Sequence, residues 1–325
     1  MFSCQFCGQN GPSHSETFQF DEIKKGFWCE ICDGYTYLNN QSEVHRFTLL
    51  LENKNEEKMH YSRPDKKFNK RLSPYRYPGG KSKIIDYLYS HLQKEKSKKL
   101  FSPFTGGGSF ELAMLEAGVV DQLFINDLDT GVYALWWCIK HVPYELIYRL
   151  NTIIPEHKDY FDAQELIKND YIGVDLVEAA WSSLLVNRLA YSGVVKANPL
   201  GGRNGTKKNL LSRWNPDCLI KRINKIHLLS EKIEVSQENA VEFIEEAYWQ
   251  DDATIFIDPP YVEKGKDLYH CYYTEKDHRE LSFLLDSLHF GFSGADILVT
   301  YDYNKWLDSL YAFPNRLIVA RNYSA

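Results

Sequence analysis

Leu100-Phe101-Ser102-Pro103-Phe104-Thr105-Gly106-Gly107-Gly108-Ser109-Phe110-Glu111 reads as a short strand, a triple-glycine turn and the start of a helix. Glycines at such a junction let a ligand approach the backbone closely, and open α/β sheets bind ligands at the carboxyl ends of their strands. Downstream, Leu123-Phe124-Ile125 is a second strand that ends in Asn126-Asp127. An acid at that distance from the glycines matches nucleotide-type units, where it accepts hydrogen bonds from vicinal ribose hydroxyls. The two pieces predict an adenosine-containing cofactor: NAD, a nucleotide or S-adenosylmethionine.

Further along, Thr254-Ile255-Phe256-Ile257 reads as a buried strand that runs into Asp258-Pro259-Pro260-Tyr261. Two consecutive prolines remove two backbone donors and stiffen the exit, holding the flanking acid and aromatic in fixed geometry. Such a turn can offer acceptors to a planar amino group and an aromatic face to a ring. Upstream, Tyr75-Arg76-Tyr77-Pro78-Gly79-Gly80-Lys81 precedes an amphipathic stretch at 84–92. Its Gly-Gly turn exposes backbone amides, and Lys81 adds a positive charge for a carboxylate or phosphate.

These blocks, in this order, resemble the Dam-type family of DNA adenine methyltransferases, from about Ser73 onward. The resemblance implies a Rossmann-like α/β sheet dependent on S-adenosylmethionine, with a helical recognition insert, acting on adenine flipped from double-stranded DNA. It implies that Tyr77, Gly79, Lys81, Phe104, Gly106, Gly108, Asp127 and Asp258 hold the cofactor, with Asp127 on the ribose. Asp258, Pro259, Pro260 and Tyr261 would form the catalytic turn, Asp258 contacting the amino group and Tyr261 stacking on the base. Asn239 matches a further family acid or amide. One departure stands out: the family has Asp or Glu before Pro-Phe, and this chain has Ser102.

The insert at 131–235 begins a helix at 175–190 and then turns basic. Between 188 and 225 the basic residues face a single acid, Asp217. The run coincides with the family's recognition insert and has similar Asn-Arg and Ser-Gly elements, so the resemblance implies that Asn187, Arg188, Ser192, Asn198, Arg203, Lys207, Lys208 and Arg213 contact DNA. Overall the chain of 325 residues carries a net charge of -6, which excludes a uniformly basic nucleic-acid coat but not a local basic groove.

Cys4-Gln5-Phe6-Cys7 and Cys29-Glu30-Ile31-Cys32 are two Cys-x-x-Cys pairs, able to bring four thiolates to a structural zinc ion. Thr17-Phe18-Gln19-Phe20 and Phe27-Trp28 read as the short strands of a zinc ribbon, with His14 a bystander. The expected boundaries are a ribbon at 1–50, a charged linker at 51–72, a catalytic domain at 73–130 and 236–325, and the insert between. The chain stops soon after a strand at 316–320, so a final family strand is expected to be absent or truncated. Lacking a signal segment or an apolar run near the roughly 20 residues that span a bilayer, the protein is expected in the cytoplasm, nucleoid-associated, in a prokaryotic or phage context. Expected partners are double-stranded DNA, no membrane, and a restriction endonuclease or other protein through the ribbon. Competing readings are methylation of RNA and a non-catalytic DNA-binding protein that keeps the fold.

Overall fold

Near-continuous apolar runs such as Phe47-Thr48-Leu49-Leu50-Leu51 and Ala253-Thr254-Ile255-Phe256-Ile257 are what a parallel sheet covered on both faces requires. The computed structural model describes residues 2–3, 10–11, 18–21, 26–29, 34–37, 46–53, 64–93 and 97–320, divided between two units, Met1–His45 and Arg46–Ala325. In the larger unit these runs form a seven-stranded sheet. Its strands are β1 (Phe47–Asn53), β2 (Lys99–Ser102), β3 (Gln122–Asn126), β4 (Ile233–Ser236), β5 (Ala253–Ile257), β6 (Asp296–Asp302) and β7 (Asn315–Ala320). Their spatial order is β7-β1-β6-β5-β2-β3-β4, with every neighbouring pair parallel.

Successive residues alternate between two hydrophobic layers. Leu49, Leu51, Ile255, Ile257, Ile297 and Val299 join the cluster containing Phe243 and Ile244 of helix α8 (Ala240–Tyr248) and Leu281 and Leu285 of α9 (Glu275–Gly291). Leu50, Leu100, Phe256 and Leu298 belong to the other cluster, with Phe110 and Met114 of α2 (Ser109–Glu116), which follows α1 (Ile85–Tyr89). Each Leu or Ile so buried contributes roughly 1.5–3 kcal/mol.

The expected α/β class is thus observed, with one correction of boundary. Residues 47–53, assigned to ribbon and linker, form β1, between β6 and β7. The sheet reaches seven strands because an N-terminal segment supplies one of them. Six of the seven residues of β1 are buried, Glu52 included, which no solvated linker would tolerate.

Between β3 and β4 run α3 (Thr130–His141), α4 (Pro143–Thr152), α5 (His157–Lys168), α6 (Leu176–Leu189) and α7 (Pro216–His227). Asp129 and Asp175 cap α3 and α6 through backbone amides, and Pro143 opens α4 where no amide partner is needed. Ala179, Ala180, Leu184, Leu185 and Val186 are buried as the periodicity of α6 predicts. They share a cluster with one face of the sheet, so the insert extends the catalytic core instead of forming its own.

In the smaller unit, strands Phe18–Asp21, Gly26–Cys29 and Gly34–Tyr37 pair antiparallel, in agreement with the short strands expected there. Cys29 ends the middle strand, opposite Phe18 and Gly34. Cys4, Cys7 and Cys32 lie outside the described residues, and the expected zinc site with them. Among the described residues no helix is long and apolar enough to cross a membrane.

Candidate active site

The chain reverses its direction of travel across the sheet between β2 and β5, which are neighbours. Their carboxyl ends open a crevice at that switch point, and Asp258 stands at its floor, one residue past β5. Lys81 Nζ lies 2.5 Å from Asp258 Oδ1 and 3.5 Å from Glu52 Oε1. Thr300 of β6 donates its hydroxyl to the same Asp258 oxygen at 2.8 Å. Both contacts engage Oδ1, which leaves Oδ2 as the oxygen to present to a substrate. Burial pushes the Asp258 carboxyl above its ordinary range; the Lys81 ammonium pulls it back, while Glu52 opposes that pull.

The turn before Lys81 is shaped by close packing. Gly79 has φ +80°, and a Cβ there would collide with the Tyr261 hydroxyl. Gly106 has φ +47°, and a Cβ there would come within 2.7 Å of the Tyr77 ring. Glycine is required at both positions by conformation and by space. Tyr77 stacks on Tyr269 with centroids 5.4 Å apart, and the Tyr269 hydroxyl donates to the Pro78 carbonyl at 3.1 Å.

Asp127, expected on a ribose, ties the glycine turn to the tip of β3. Its Oδ2 accepts from Gly106 N at 2.8 Å and its Oδ1 from Asp129 N at 3.0 Å. Trp136 Nε1 donates to the Gly106 carbonyl at 3.1 Å from the other side. Burial, reinforced by neighbouring Asp129, pushes the Asp127 carboxyl up to about 7.

Two cavities meet at this edge. The smaller, about 410 Å³, is lined by Tyr77, Lys81, Phe104, Gly108, Asp127 and Asp258 among others, so most of the expected cofactor residues converge on it. Asn239 also reaches this wall, while its side chain caps α8 through Val241 N at 2.9 Å. The larger cavity, about 1050 Å³, is lined by Gly79, Tyr261, Ser192, Arg76, Arg213 and Arg222. Tyr77, Pro78 and Gly80 line both, so this turn is the partition. The Asp-Pro-Pro-Tyr turn divides likewise, with Asp258 and Pro260 on the smaller cavity and Tyr261 on the larger; Pro259 is buried beneath.

The larger cavity has a guanidinium cluster. Arg188 Nη2 donates to the Arg213 carbonyl at 3.4 Å, and Arg222 Nη1 donates to the Ser73 carbonyl at 2.7 Å. Arg76 Nη1 and Arg188 Nε are buried without a hydrogen-bond partner. Burial, with Arg76, Arg222 and Arg213 nearby, holds Arg188 down at about 10. The same cavity is also lined by Glu52, Glu263 and Asp302, but Arg76, Arg213 and Arg222 give it a cationic stretch suited to anions.

The other expected DNA contacts separate. Asn187 is 2% exposed and grips the Arg76 backbone, accepting from its N at 2.8 Å and donating to its O at 2.6 Å. A side chain so enclosed braces the turn and does not face DNA. Asn198, Arg203, Lys207 and Lys208 are exposed but away from the cavity wall, with Lys207 paired to Glu156 at 2.8 Å. Asp277, which also lines the smaller cavity, forms a capping box with Thr274 at the start of α9, and His278 is buried against the Tyr301 hydroxyl at 2.9 Å.

Several site residues escape the sequence reading. Glu52 lies on a strand taken for linker, Thr300 is an ordinary strand residue, and Arg76 sits in a block read for its glycines and its lysine. Glu111 is the fourth: it is 3% exposed, lines the smaller cavity and accepts from the Ser102 hydroxyl at 2.9 Å.

The family described as D12 class N6 adenine-specific DNA methyltransferase matches residues 77–325. Among curated proteins, the type II methyltransferase M.CviBI of Paramecium bursaria Chlorella virus NC1A is 21% identical over 208 residues, covering 64% of this chain and 75% of the viral protein. Strand β1, with Glu52, precedes the matched family segment.

Proposed function

The chain belongs to the D12 class N6 adenine-specific DNA methyltransferases, and we propose that it methylates an adenine flipped out of double-stranded DNA at a specific site. S-adenosylmethionine is the expected cofactor of this family. The observation that carries the flipped-base reading is the placement of the Asp-Pro-Pro-Tyr turn between a cofactor-sized cavity and a larger arginine-lined one.

The residues of the smaller cavity fit the cofactor. A volume of about 410 Å³ suits a small ligand, Phe104 and Leu128 offer apolar surface, and buried carboxylates suit cations and hydroxyls. Bound there, S-adenosylmethionine supplies an electrophilic methyl group. The chain's task is to present the acceptor. An adenine amino nitrogen is a weak nucleophile because its lone pair is delocalised into the ring. Asp258 Oδ2 and the Pro259 carbonyl would accept its two hydrogens, drawing the nitrogen toward pyramidal geometry with its lone pair directed at the methyl group. Lys81 and Thr300 fix the carboxylate from behind, so little reorganisation is needed at reaction.

Inside a duplex the base is out of reach, so it must leave the stack. Tyr261 would stack on it and return about 1–3 kcal/mol of the lost stacking. Arg76, Arg213 and Arg222 supply cationic surface for the backbone on the same side, with Arg188 behind them holding the Arg213 carbonyl.

The N-terminal cysteines form the second part of the proposal. Cys4, Cys7, Cys29 and Cys32 would hold one structural zinc ion, supported by their paired spacing and by the separate unit that contains them. Pairing with a restriction endonuclease, through that unit or otherwise, is suggested by the description of the viral relative as a type II methyltransferase.

The test is methyl transfer from labelled S-adenosylmethionine to duplex DNA, RNA and protein in parallel, followed by mapping of the modified base. Label in duplex DNA as N6-methyladenine at a fixed sequence is expected. Label confined to RNA or protein, or Asp258→Ala methylating DNA as well as wild type, would refute the reading.

A further inference from the structure

Glu111 is the buried carboxylate of the smaller cavity that has neither an ion pair nor a capping role among the described residues. The other acids there are committed. Asp127 accepts two backbone amides, Asp129 caps α3 through Gly131 N and Val132 N, and Asp258 is held by Lys81 and Thr300. Asp277 is spent on the capping box, while Glu238 and Glu280 are exposed. Glu111 receives one hydroxyl hydrogen bond, from Ser102, and sits in the first turn of α2, where the helix N-terminus favours negative charge.

The charges nearby are unbalanced. Among the described residues Lys81 is the ammonium that bears on Glu111, and its ion pairs go to Glu52 and Asp258 instead. A buried carboxylate left over in a ligand cavity calls for a cation from the ligand. S-adenosylmethionine carries two, the sulfonium and the α-ammonium.

We propose that Glu111, oriented by Ser102, is the carboxylate that receives the α-ammonium group of the cofactor. The inference rests on the cofactor reading above. It also accounts for Ser102. The strand end has given up its acid, and the next helix returns one to the same spot, with the serine hydroxyl as the link.

The test is calorimetric binding, separate from turnover, with two ligands. S-adenosylhomocysteine keeps the ammonium group; 5′-methylthioadenosine keeps the nucleoside and thioether but lacks the amino-acid portion. Glu111→Gln preserves shape and the bond to Ser102. It should weaken S-adenosylhomocysteine on the order of 10- to 100-fold, as expected for a buried charge-assisted hydrogen bond, and leave methylthioadenosine within about twofold. A second variant, Ser102→Asp combined with Glu111→Leu, moves the acid back to the strand and should bind S-adenosylhomocysteine more tightly than Glu111→Leu alone. Equal weakening of both ligands by Glu111→Gln would mean a structural role and overturn the proposal. So would no weakening, or a folded relocation variant without recovery. Wild type that binds neither ligand would sink the cofactor reading itself, an outcome distinct from loss of selectivity.

Discussion

Glu111 should make the ligand-free protein less stable as pH rises, and Glu111→Gln should remove that penalty. Burial, the largest influence, pushes its carboxyl from 4.5 up to about 7; its own backbone amide, the Ser102 hydroxyl and Lys81 only partly offset it, and Asp258 adds to it. Because the folded-state value is raised, the folded protein holds this proton more tightly than the unfolded chain. Below about pH 4.5 the group is neutral in both states and exerts no penalty. Between 4.5 and about 7 the unfolded chain ionises while the folded one does not, so stability falls with rising pH. Above about 7 the penalty is complete, at about 3 kcal/mol.

Glutamine has the same shape and no charge. In a domain of this size about 3 kcal/mol corresponds to roughly 5 °C in melting temperature. The assay is thermal unfolding of ligand-free wild type and Glu111→Gln from pH 5 to pH 8.5. The variant should melt higher at pH 8, and the gap should close toward pH 5. Asp127, also pushed up to about 7, titrates in the same window but is common to both proteins and cancels in the difference. A gap that does not change with pH, or a variant that melts lower at pH 8, would refute the argument. Saturating S-adenosylhomocysteine should narrow the gap at pH 8 by about 1.4–2.7 kcal/mol, the equivalent of the 10- to 100-fold affinity difference, since only the carboxylate gains from the ammonium.

Asp258→Ala should lower methyl transfer at least about 100-fold, the scale of losing one preorganised electrostatic group, while DNA binding measured by anisotropy stays near wild type. Arg76→Ala and Arg213→Ala should each weaken DNA binding and reduce the slope of log affinity against log salt by about 1; an unchanged slope would remove them from the phosphate face. Gly79→Ala should cost activity and stability together, because the new Cβ meets the Tyr261 hydroxyl at a positive φ; a variant with wild-type melting temperature and turnover would contradict that geometry. Elemental analysis should find one zinc per chain, lost on substitution of Cys4 or Cys29 by serine; a metal-free wild type would end the zinc proposal.

The motifs that could be read from sequence are those whose chemistry is local. A strand, a glycine turn and a helix within 100–111 announce a ligand site because conformation and close approach are dictated by neighbours in the chain. Asp258 and Tyr261 were legible for the same reason. Phe47-Thr48-Leu49-Leu50-Leu51 also reads as a buried strand, but its place between β6 and β7 depends on pairing with residues some 250 positions away, which periodicity does not encode. Asn187 misled in the opposite direction. Beside Arg188 in a basic stretch it looks like a base reader, yet the helical turn points it inward onto the Arg76 backbone.

Charge complementarity explains the rest. A carboxylate's task depends on which cations share its space, and at this edge the groups that decide it come from four strands and a helix: Glu52 from β1, Ser102 from β2, Asp258 after β5, Thr300 from β6 and Glu111 from α2. Lys81 stands between two acids, so neither takes its full charge, and Asp258 keeps acceptor strength on the oxygen that faces the cavity. That division needs Glu52, which the matched family segment does not include. A missing acid at Ser102 therefore says little by itself. The quantity that must be maintained is negative charge at the point where the ammonium arrives, and a parallel sheet lets a helix one turn past the glycines supply it as well as the strand before them.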